Sequence, residues 1–359
     1  MPTVYPDNRL WGQPDGTYVG YTLSTNNGIQ TLNMTDDLYF RKDSAGNTAG
    51  YWNIPTNTVV ITNGNILDIN IYNTSFQSTA YFYLNGTIVN NGVYPTQHYA
   101  KYVKWAWAGR ARVSSTGKII NYPNNYFYTT GFSGQSQYHY LEFYGTIINS
   151  GLWWFSRYNH KAASSRFSGY GGLFLSHRKF YYFYSSSGTW TDSGTGFNTK
   201  YIHGRTGTIN INKDISIPEI NAIDINGNAI NASLFQIENG KTLNINSGNT
   251  LTNNGIIGND GNIENNGTTT NNGTIINNNI ITDNGTITND GIILSNSVIT
   301  DPSGNTVIPG GSGTNNYPGN NGTTNQIDIT SNFTLPDSLT FNVPDGETLQ
   351  IHGGVTFTV

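Results

Sequence analysis

From Asn249 the chain counts in sixes, and that period decides what it can fold into. Five successive units read Asn-Thr-Leu251-Thr-Asn-Asn, Gly255-Ile-Ile257-Gly-Asn-Asp, Gly261-Asn-Ile263-Glu-Asn-Asn, Gly267-Thr-Thr269-Thr-Asn-Asn and Gly273-Thr-Ile275-Ile-Asn-Asn. Four more follow without a slip: Asn279-Ile-Ile281-Thr-Asp-Asn, Gly285-Thr-Ile287-Thr-Asn-Asp, Gly291-Ile-Ile293-Leu-Ser-Asn and Ser297-Val-Ile299-Thr-Asp-Pro302. On an α-helix, six steps of about 100° scatter the third position of each unit to three sides. No apolar stripe forms, so a helix is excluded.

A strand-and-corner pattern fits. Gly or Asn tolerates the positive φ of a corner, and the x-Ile-x triplet forms a short strand with its central residue inward. Stacked units then pair backbone groups about 4.8 Å apart and place Asn above Asn in hydrogen-bonded ladders, the signature of a β-solenoid. Low-complexity disorder is the competing expectation for an Asn/Gly tract. It is opposed by Ile or Leu in eight of the nine inward slots. Three hexads of one chain closing a triangular coil and three chains sharing a prism both satisfy the pattern.

Composition extends the β expectation to the whole chain. Only 11% of residues are charged, against 42 Gly and 52 Asn, two poor helix formers. Cysteine is absent, so neither disulfides nor thiolate metal sites contribute. Near residue 206 the character changes: all seven Trp and 23 of 24 Tyr precede it. Residues 1–206 carry 15 basic and 8 acidic groups (net +7), and residues 207–359 carry 2 and 13 (net −11). We therefore expect an all-β chain with a basic, aromatic-rich head over 1–206, built as solenoid-like coils or as a sandwich with long loops. A hexad-repeat solenoid stalk follows over 207–302, then a flexible Gly/Ser/Asn linker over 303–325 and a short β segment over 326–359.

Two further repeats bear on assembly. Asn85-Gly-Thr-Ile88, Tyr144-Gly-Thr-Ile147 and Gly207-Thr-Ile209 echo the hexad start, either as solenoid coils within the head or as a by-product of composition. Ile237-Glu-Asn-Gly-Lys-Thr-Leu-Asn-Ile-Asn-Ser-Gly248 returns as Val343-Pro-Asp-Gly-Glu-Thr-Leu-Gln-Ile-His-Gly-Gly354. The second copy leads to no hexads, so this tail can cap its own stalk or pair with a neighbour. The intermolecular use is favoured, with Val343, Leu349, Ile351 and Phe357 as assembly candidates.

The stretch NGKTLNINSGNTLTNNGIIGNDGNIENNG, within residues 236–302, resembles the repeats of fibre and surface proteins from large DNA viruses, phage and some bacteria. The Asn/Ile/Tyr-heavy usage suits an AT-rich genome such as those of amoeba-infecting giant viruses. The resemblance implies capsid decoration or host attachment, in a virion or extracellular surface assembly, with capsid proteins as partners.

Chemistry is sparse. Asp36-Asp37 would point to opposite faces of a strand. The histidines show no metal-ligand spacing, and no P-loop is present. No catalytic residue, metal or cofactor is assigned; a polysaccharide lyase or hydrolase is the alternative, needing clustered acids in a groove. The pattern Lys104-Trp105-Ala-Trp107-Ala-Gly-Arg110-Ala-Arg112 places Trp105 and Trp107 on one face of a strand and Lys104, Arg110 and Arg112 on the other. With Trp153, Trp154, Arg157 and Tyr158 these form the candidate surface for a glycan or protein partner, by ring stacking and cation contacts. Nucleic acid is disfavoured because +7 over the head is modest and the stalk is acidic. The N-terminal stretch lacks signal-peptide character, and no run of eighteen apolar residues occurs, so cytoplasmic synthesis without a membrane span is expected. The expected partner is the chain itself, as a trimer or filament.

Overall fold

The computed structural model describes residues 3–4, 11–41, 51–70, 81–91, 103–107, 110–123, 125–131, 140–157, 166–169, 173–176, 181–182, 200–203, 208–211, 214–223, 229–318, 325–336 and 339–359. Among them every regular element is a strand. Nearly all pair in parallel, which gives stacked sheets of the β-solenoid kind. The chain divides into two units, Met1–Tyr201 with Asn221–Ile230, and Ile202–Ile220 with Asn231–Val359.

In the first unit the chain visits three stacks in turn. Leu38–Arg41, Tyr51–Ile54 and Thr58–Ile61 form one coil, and Leu67–Asn70, Tyr81–Leu84 and Thr87–Asn90 lie in register on it. Val103–Trp107, Arg110–Val113 and Lys118–Asn121 add the next coil. Parallel strands need crossover connections, and winding through two other faces supplies them. Ile88, Ile119 and Ile147 are successive register partners, so the two Gly-Thr-Ile echoes of this region stand two coils apart in one column. Leu38, Leu67 and Phe127 fill the core from the first face, and Ile54, Leu84 and Val113 from another. Asn90 donates to Asn121 Oδ1 at 2.7 Å and Asn121 to Asn149 Oδ1 at 2.7 Å, all three buried. The start of one stack is an antiparallel meander, Gly16–Tyr18, Tyr21–Asn26 and Ile29–Met34. Its second turn, Asn27-Gly28, has φ of 49° and 76°, as a tight hairpin requires.

Over the hexads of the second unit the coil is 18 residues. Thr250–Asn253 lies under Thr268–Asn271 and Thr286–Asn289, and Ile256–Asn259 under Thr274–Asn277 and Ile292–Ser295. The third face carries Thr208–Ile211, Thr242–Ile245, Asn262–Asn265 and Ile280–Asp283. Three hexads of one chain thus make one turn through the three stacks. The inward residue of each hexad, Leu251 through Ile299, lines the axis, with Thr269 as the polar exception. Each such Ile, fully buried, contributes about 1.5–3 kcal/mol.

Three ladders of buried side-chain amides run up the corners. Asn253 donates to Asn271 Oδ1 and Asn271 to Asn289 Oδ1, both at 2.7 Å. Asn259 donates to Asn277 at 2.6 Å and Asn265 to Asp283 at 2.7 Å. Every donor points toward the next coil, so a ladder needs an end that lacks an unspent amide. Asp283 has no N–H to place, and Ser295, reached by Asn277, turns its hydroxyl to the Ser297 carbonyl.

Two expectations are corrected here. The hexad glycines do not sit at positive φ: that conformation occurs at Gly240 and Gly248, but at none of Gly255, Gly261, Gly267, Gly273, Gly285 and Gly291. Those six are required by close approach, because a Cβ on any of them would fall well under 3.0 Å from a carbonyl oxygen of the coil below. The stretch expected to be a flexible linker is in part built into the solenoid. Thr314–Asn316 pairs in parallel with Ile292–Leu294, and Gly310 bridges to Thr288. Gly311 and Gly313 serve the same packing purpose, lying against the carbonyls of Asn289 and Gly291.

The tail adds coil-like pairs of its own. Gln326–Ile329 lies parallel to Thr348–Ile351, and Phe333–Thr334 to Phe357–Thr358, with the two Phe rings stacked 5.7 Å apart. The sequence repeat has a structural counterpart: Thr242–Ile245 and Thr348–Ile351 are both strands, flanked by Gly240 and Gly248 (φ 72° and 77°) and by Gly346 and Gly354 (φ 86° and 83°).

Candidate interaction surfaces

The aromatic and basic candidates separate onto two stacks of the first unit. A single strand from Lys104 to Arg112, expected from the period of two, is not formed. Trp105 and Trp107 belong to Val103–Trp107, while Arg110 and Arg112 belong to Arg110–Val113, in a different sheet. Short strands that belong to different sheets are what a three-sided coil demands. Trp105 takes the register position of Ile69, which is fully buried. Trp153, Trp154 and Arg157 lie in Leu152–Arg157, two strands along from Val103–Trp107, and Trp153 pairs in register with the buried Phe127. Tyr158 lies outside the described residues.

Arg112 stands against two tyrosine rings. Its Cζ stands 5.6 Å from the ring centre of Tyr83 and 5.2 Å from that of Tyr144, within cation–π range. Neither tyrosine is legible as a partner from sequence, because one precedes and the other follows Arg112 by about one coil and the coil length of this region is irregular. In the same sheet Arg110 takes the register position between Tyr81 and Tyr140, and Arg112 that between Tyr83 and Glu142.

The second unit carries an intramolecular strap. Ile276 and Leu294 hold outward-parity positions, yet both are fully buried. Leu339 covers this face: a Cβ placed on Gly258, the preceding position of the column, would meet Leu339 Cδ2 at 2.7 Å. Asn278 Nδ2 donates to the Thr340 carbonyl at 2.6 Å, the Asn342 N–H donates to Asn278 Oδ1 at 2.8 Å, and Asn296 Nδ2 donates to the Asn342 carbonyl at 3.2 Å. A signal for this was present in sequence. The fourth position reads Gly258, Ile276 and Leu294 in every third hexad, against Thr252, Thr270 and Thr288 in another set.

C-terminal to the strap lie the strands that carry three of the assembly candidates. Leu349 and Ile351 are register partners of Ile327 and Ile329, and Phe357 of Phe333. Ile329 is 0% exposed and Ile351 42%, although they occupy equivalent positions. Val343 is also exposed, and Leu349 and Phe357 are half-buried. The coil is anchored by His352, whose Nε2 lies 2.6 Å from Oδ1 of the buried Asp328, and by Gln326 Nε2, which donates to the same oxygen at 2.9 Å.

Among the described residues no group of three His, Cys, Asp or Glu is placed to hold a metal ion, and no helix is long and apolar enough to cross a membrane. A scan against protein-family models, a search of curated proteins and a search of solved structures each return no match.

Proposed function

We propose that this chain is a structural or attachment component of a virion or surface assembly, a solenoid that displays or anchors an aromatic-rich head and associates with other copies. The carrying observation is the construction of both units from in-register parallel coils, locked by buried amide ladders. Such coils spend their side chains on stacking and repeat one surface at a fixed interval, which suits spacing and display. The hexad resemblance to fibre and surface proteins points the same way. Immunogold labelling of the source organism's particles and surfaces tests it: label on an outer surface is expected, and label confined to soluble cytoplasm overturns it.

A second function, carbohydrate binding, draws on the Arg112 surroundings, where a guanidinium stands against two tyrosine rings. Ring faces stack on sugars and the cation meets acidic substituents. A glycan array probed with the wild-type chain and with Arg112→Ala tests this. Binding to acidic glycans that the variant loses supports it, and no glycan retained by the wild type removes it.

A further inference from the structure

We propose that Asn239 and Asn27 are sites of spontaneous deamidation through a succinimide, and that the coils shield the hexad Asn-Gly pairs from the same reaction. The sequence holds eleven Asn-Gly pairs, eight of them within the described residues. Such a pair reacts with water and no further reagent. The glycine backbone nitrogen gives up its proton and attacks Cγ of the asparagine. A C–N bond forms, the bond from Cγ to Nδ2 breaks, and the amide nitrogen leaves as ammonia after taking up a proton. Water then opens the five-membered imide at either carbonyl, giving aspartate or, with the main chain rerouted through Cβ, isoaspartate. Glycine favours the step because no Cβ crowds the attacking nitrogen. The reaction needs a glycine N–H free to lose its proton and an asparagine side chain free to swing over it.

The coils withhold both. Gly255 donates its N–H to Asn253 Oδ1 at 3.1 Å, Gly273 to the Asn253 carbonyl at 2.9 Å, and Gly285 to Asp283 Oδ1 at 3.1 Å. In the first unit Gly64 donates to the Asn91 carbonyl at 2.8 Å and Gly86 to the Ile54 carbonyl at 2.9 Å. The side chains are tied as well: Asn254 Nδ2 donates to Ser216 Oγ, Asn266 Nδ2 to Asn244 Oδ1 and Asn272 Nδ2 to Asn254 Oδ1. Exposure alone does not decide the matter, since Asn272 and Asn284 are themselves exposed.

Two pairs escape these ties. Asn27-Gly28 is the tip of the hairpin that joins Tyr21–Asn26 to Ile29–Met34. Asn239-Gly240 is the middle of a turn closed by the Lys241 N–H, which donates to the Glu238 carbonyl at 3.0 Å. All four residues are exposed. Among the described residues no hydrogen bond holds the N–H of Gly28 or Gly240, or the side chain of Asn27 or Asn239. The fold also accommodates the aspartate product. In the repeat of the second turn, the Glu347 N–H donates to the Pro344 carbonyl at 3.0 Å, Gly346 has φ of 86°, and Asp345 stands where the first copy has Asn239. Aspartate at 239 therefore keeps the turn and adds one negative charge. Isoaspartate lengthens the main chain by one atom between Glu238 and Lys241.

The test is to age the 359-residue chain in mildly alkaline buffer and locate the amide-to-acid mass gain by tandem mass spectrometry of its peptides. Asn27 and Asn239 should be converted, each to a mixture of aspartate and isoaspartate. Their rates should exceed those of Asn254, Asn272 and Asn284 at least about tenfold, because the hexad pairs react only when a coil opens. In strong denaturant all five should react at comparable rates. Asn239→Gln, whose longer side chain closes the six-membered imide far more slowly, should remove the mass gain at 239 and leave that at Asn27. No conversion at Asn27 or at Asn239 in the folded chain, hexad pairs converted as fast as Asn239, or a hexad lag that persists in denaturant overturns the proposal.

Discussion

Gly273 lies so close above the carbonyl oxygen of Gly255, one coil below, that no side chain fits between them. The same carbonyl accepts the Thr274 N–H at 2.9 Å, so the coil spacing at this corner is fixed by a backbone bond immediately beside the contact. Gly291 repeats the arrangement over Gly273. These glycines set the rise of the solenoid, and their role is proximity rather than unusual φ.

Gly273→Ala is therefore expected to destabilise the second unit by about 1–3 kcal/mol or more, as overpacking against backbone that cannot move aside does. Gly240→Ala provides the contrast. Nothing lies within 4 Å of a Cβ there, but φ is +72°, so only about 1 kcal/mol of left-handed strain is expected. Chemical denaturation of the two variants checks the order, and equal midpoints would contradict the close-approach account.

The buried amide ladders make a second prediction. Asn271 accepts from Asn253 and donates to Asn289, so Asn271→Ala strips one acceptor from a buried amide and the donor from a buried carbonyl. The cost is about 2–5 kcal/mol, since each orphaned group carries its desolvation penalty of about 1–3 kcal/mol. Exposed Asn272, which donates to Asn254 Oδ1 in a parallel outer ladder, should lose less than about 1 kcal/mol on the same substitution. Thermal or denaturant unfolding of both variants separates a structural ladder from a merely decorative one.

Much of the second unit was legible from its hexads, and the reason is geometric. One inward residue per six, flanked by small or polar residues, admits a strand and a corner and little else. The 18-residue coil was harder to see because all three faces share the inward pattern. The fourth position is apolar in Ile276 and Leu294 on one face and threonine in Thr252, Thr270 and Thr288 on another, and that difference marks the face the strap covers. In the first unit the local alternation through Trp105, Trp107, Arg110 and Arg112 imitated one strand. Which sheet a short strand joins depends on the corners, and corner geometry is set by coils distant in sequence. The Tyr83–Arg112–Tyr144 contacts were invisible for the same reason.

Leu339 should act as the latch of the strap. Its burial over Gly258, with Asn342 held to Asn278, predicts that Leu339→Ala frees this segment locally without unfolding the coils. Losing a buried leucine costs about 2–3 kcal/mol at the low end of such substitutions. Hydrogen exchange at the Asn342 amide should accelerate about thirty- to a hundredfold, while amides in Thr274–Asn277 keep their protection. Uniform acceleration across the unit would show instead that the strap and the coils open together.

Acid should act first on the loop after the hexads. Asp301 accepts from the Asn305 side chain at 2.8 Å and from the Asn305 and Ser303 backbone N–H groups at 2.8 Å each, with Gly304 also donating to its carbonyl. These bonds, the Asn305 side chain foremost, hold the carboxyl below its usual range. A depressed carboxylate contributes its stabilisation in full above the unfolded value of about 3.9, and that contribution is lost as pH falls through the lower folded value. The amide resonances of Ser303 and Asn305 should therefore titrate together below about pH 4, and Asp301→Asn should abolish that transition. The ladder Asn253–Asn271–Asn289 has little to lose in this range, because its donors and acceptors are amides. Loss of the Asn253, Asn271 and Asn289 side-chain resonances at the same pH as the loop would overturn this ordering and place the acid-sensitive step inside the solenoid.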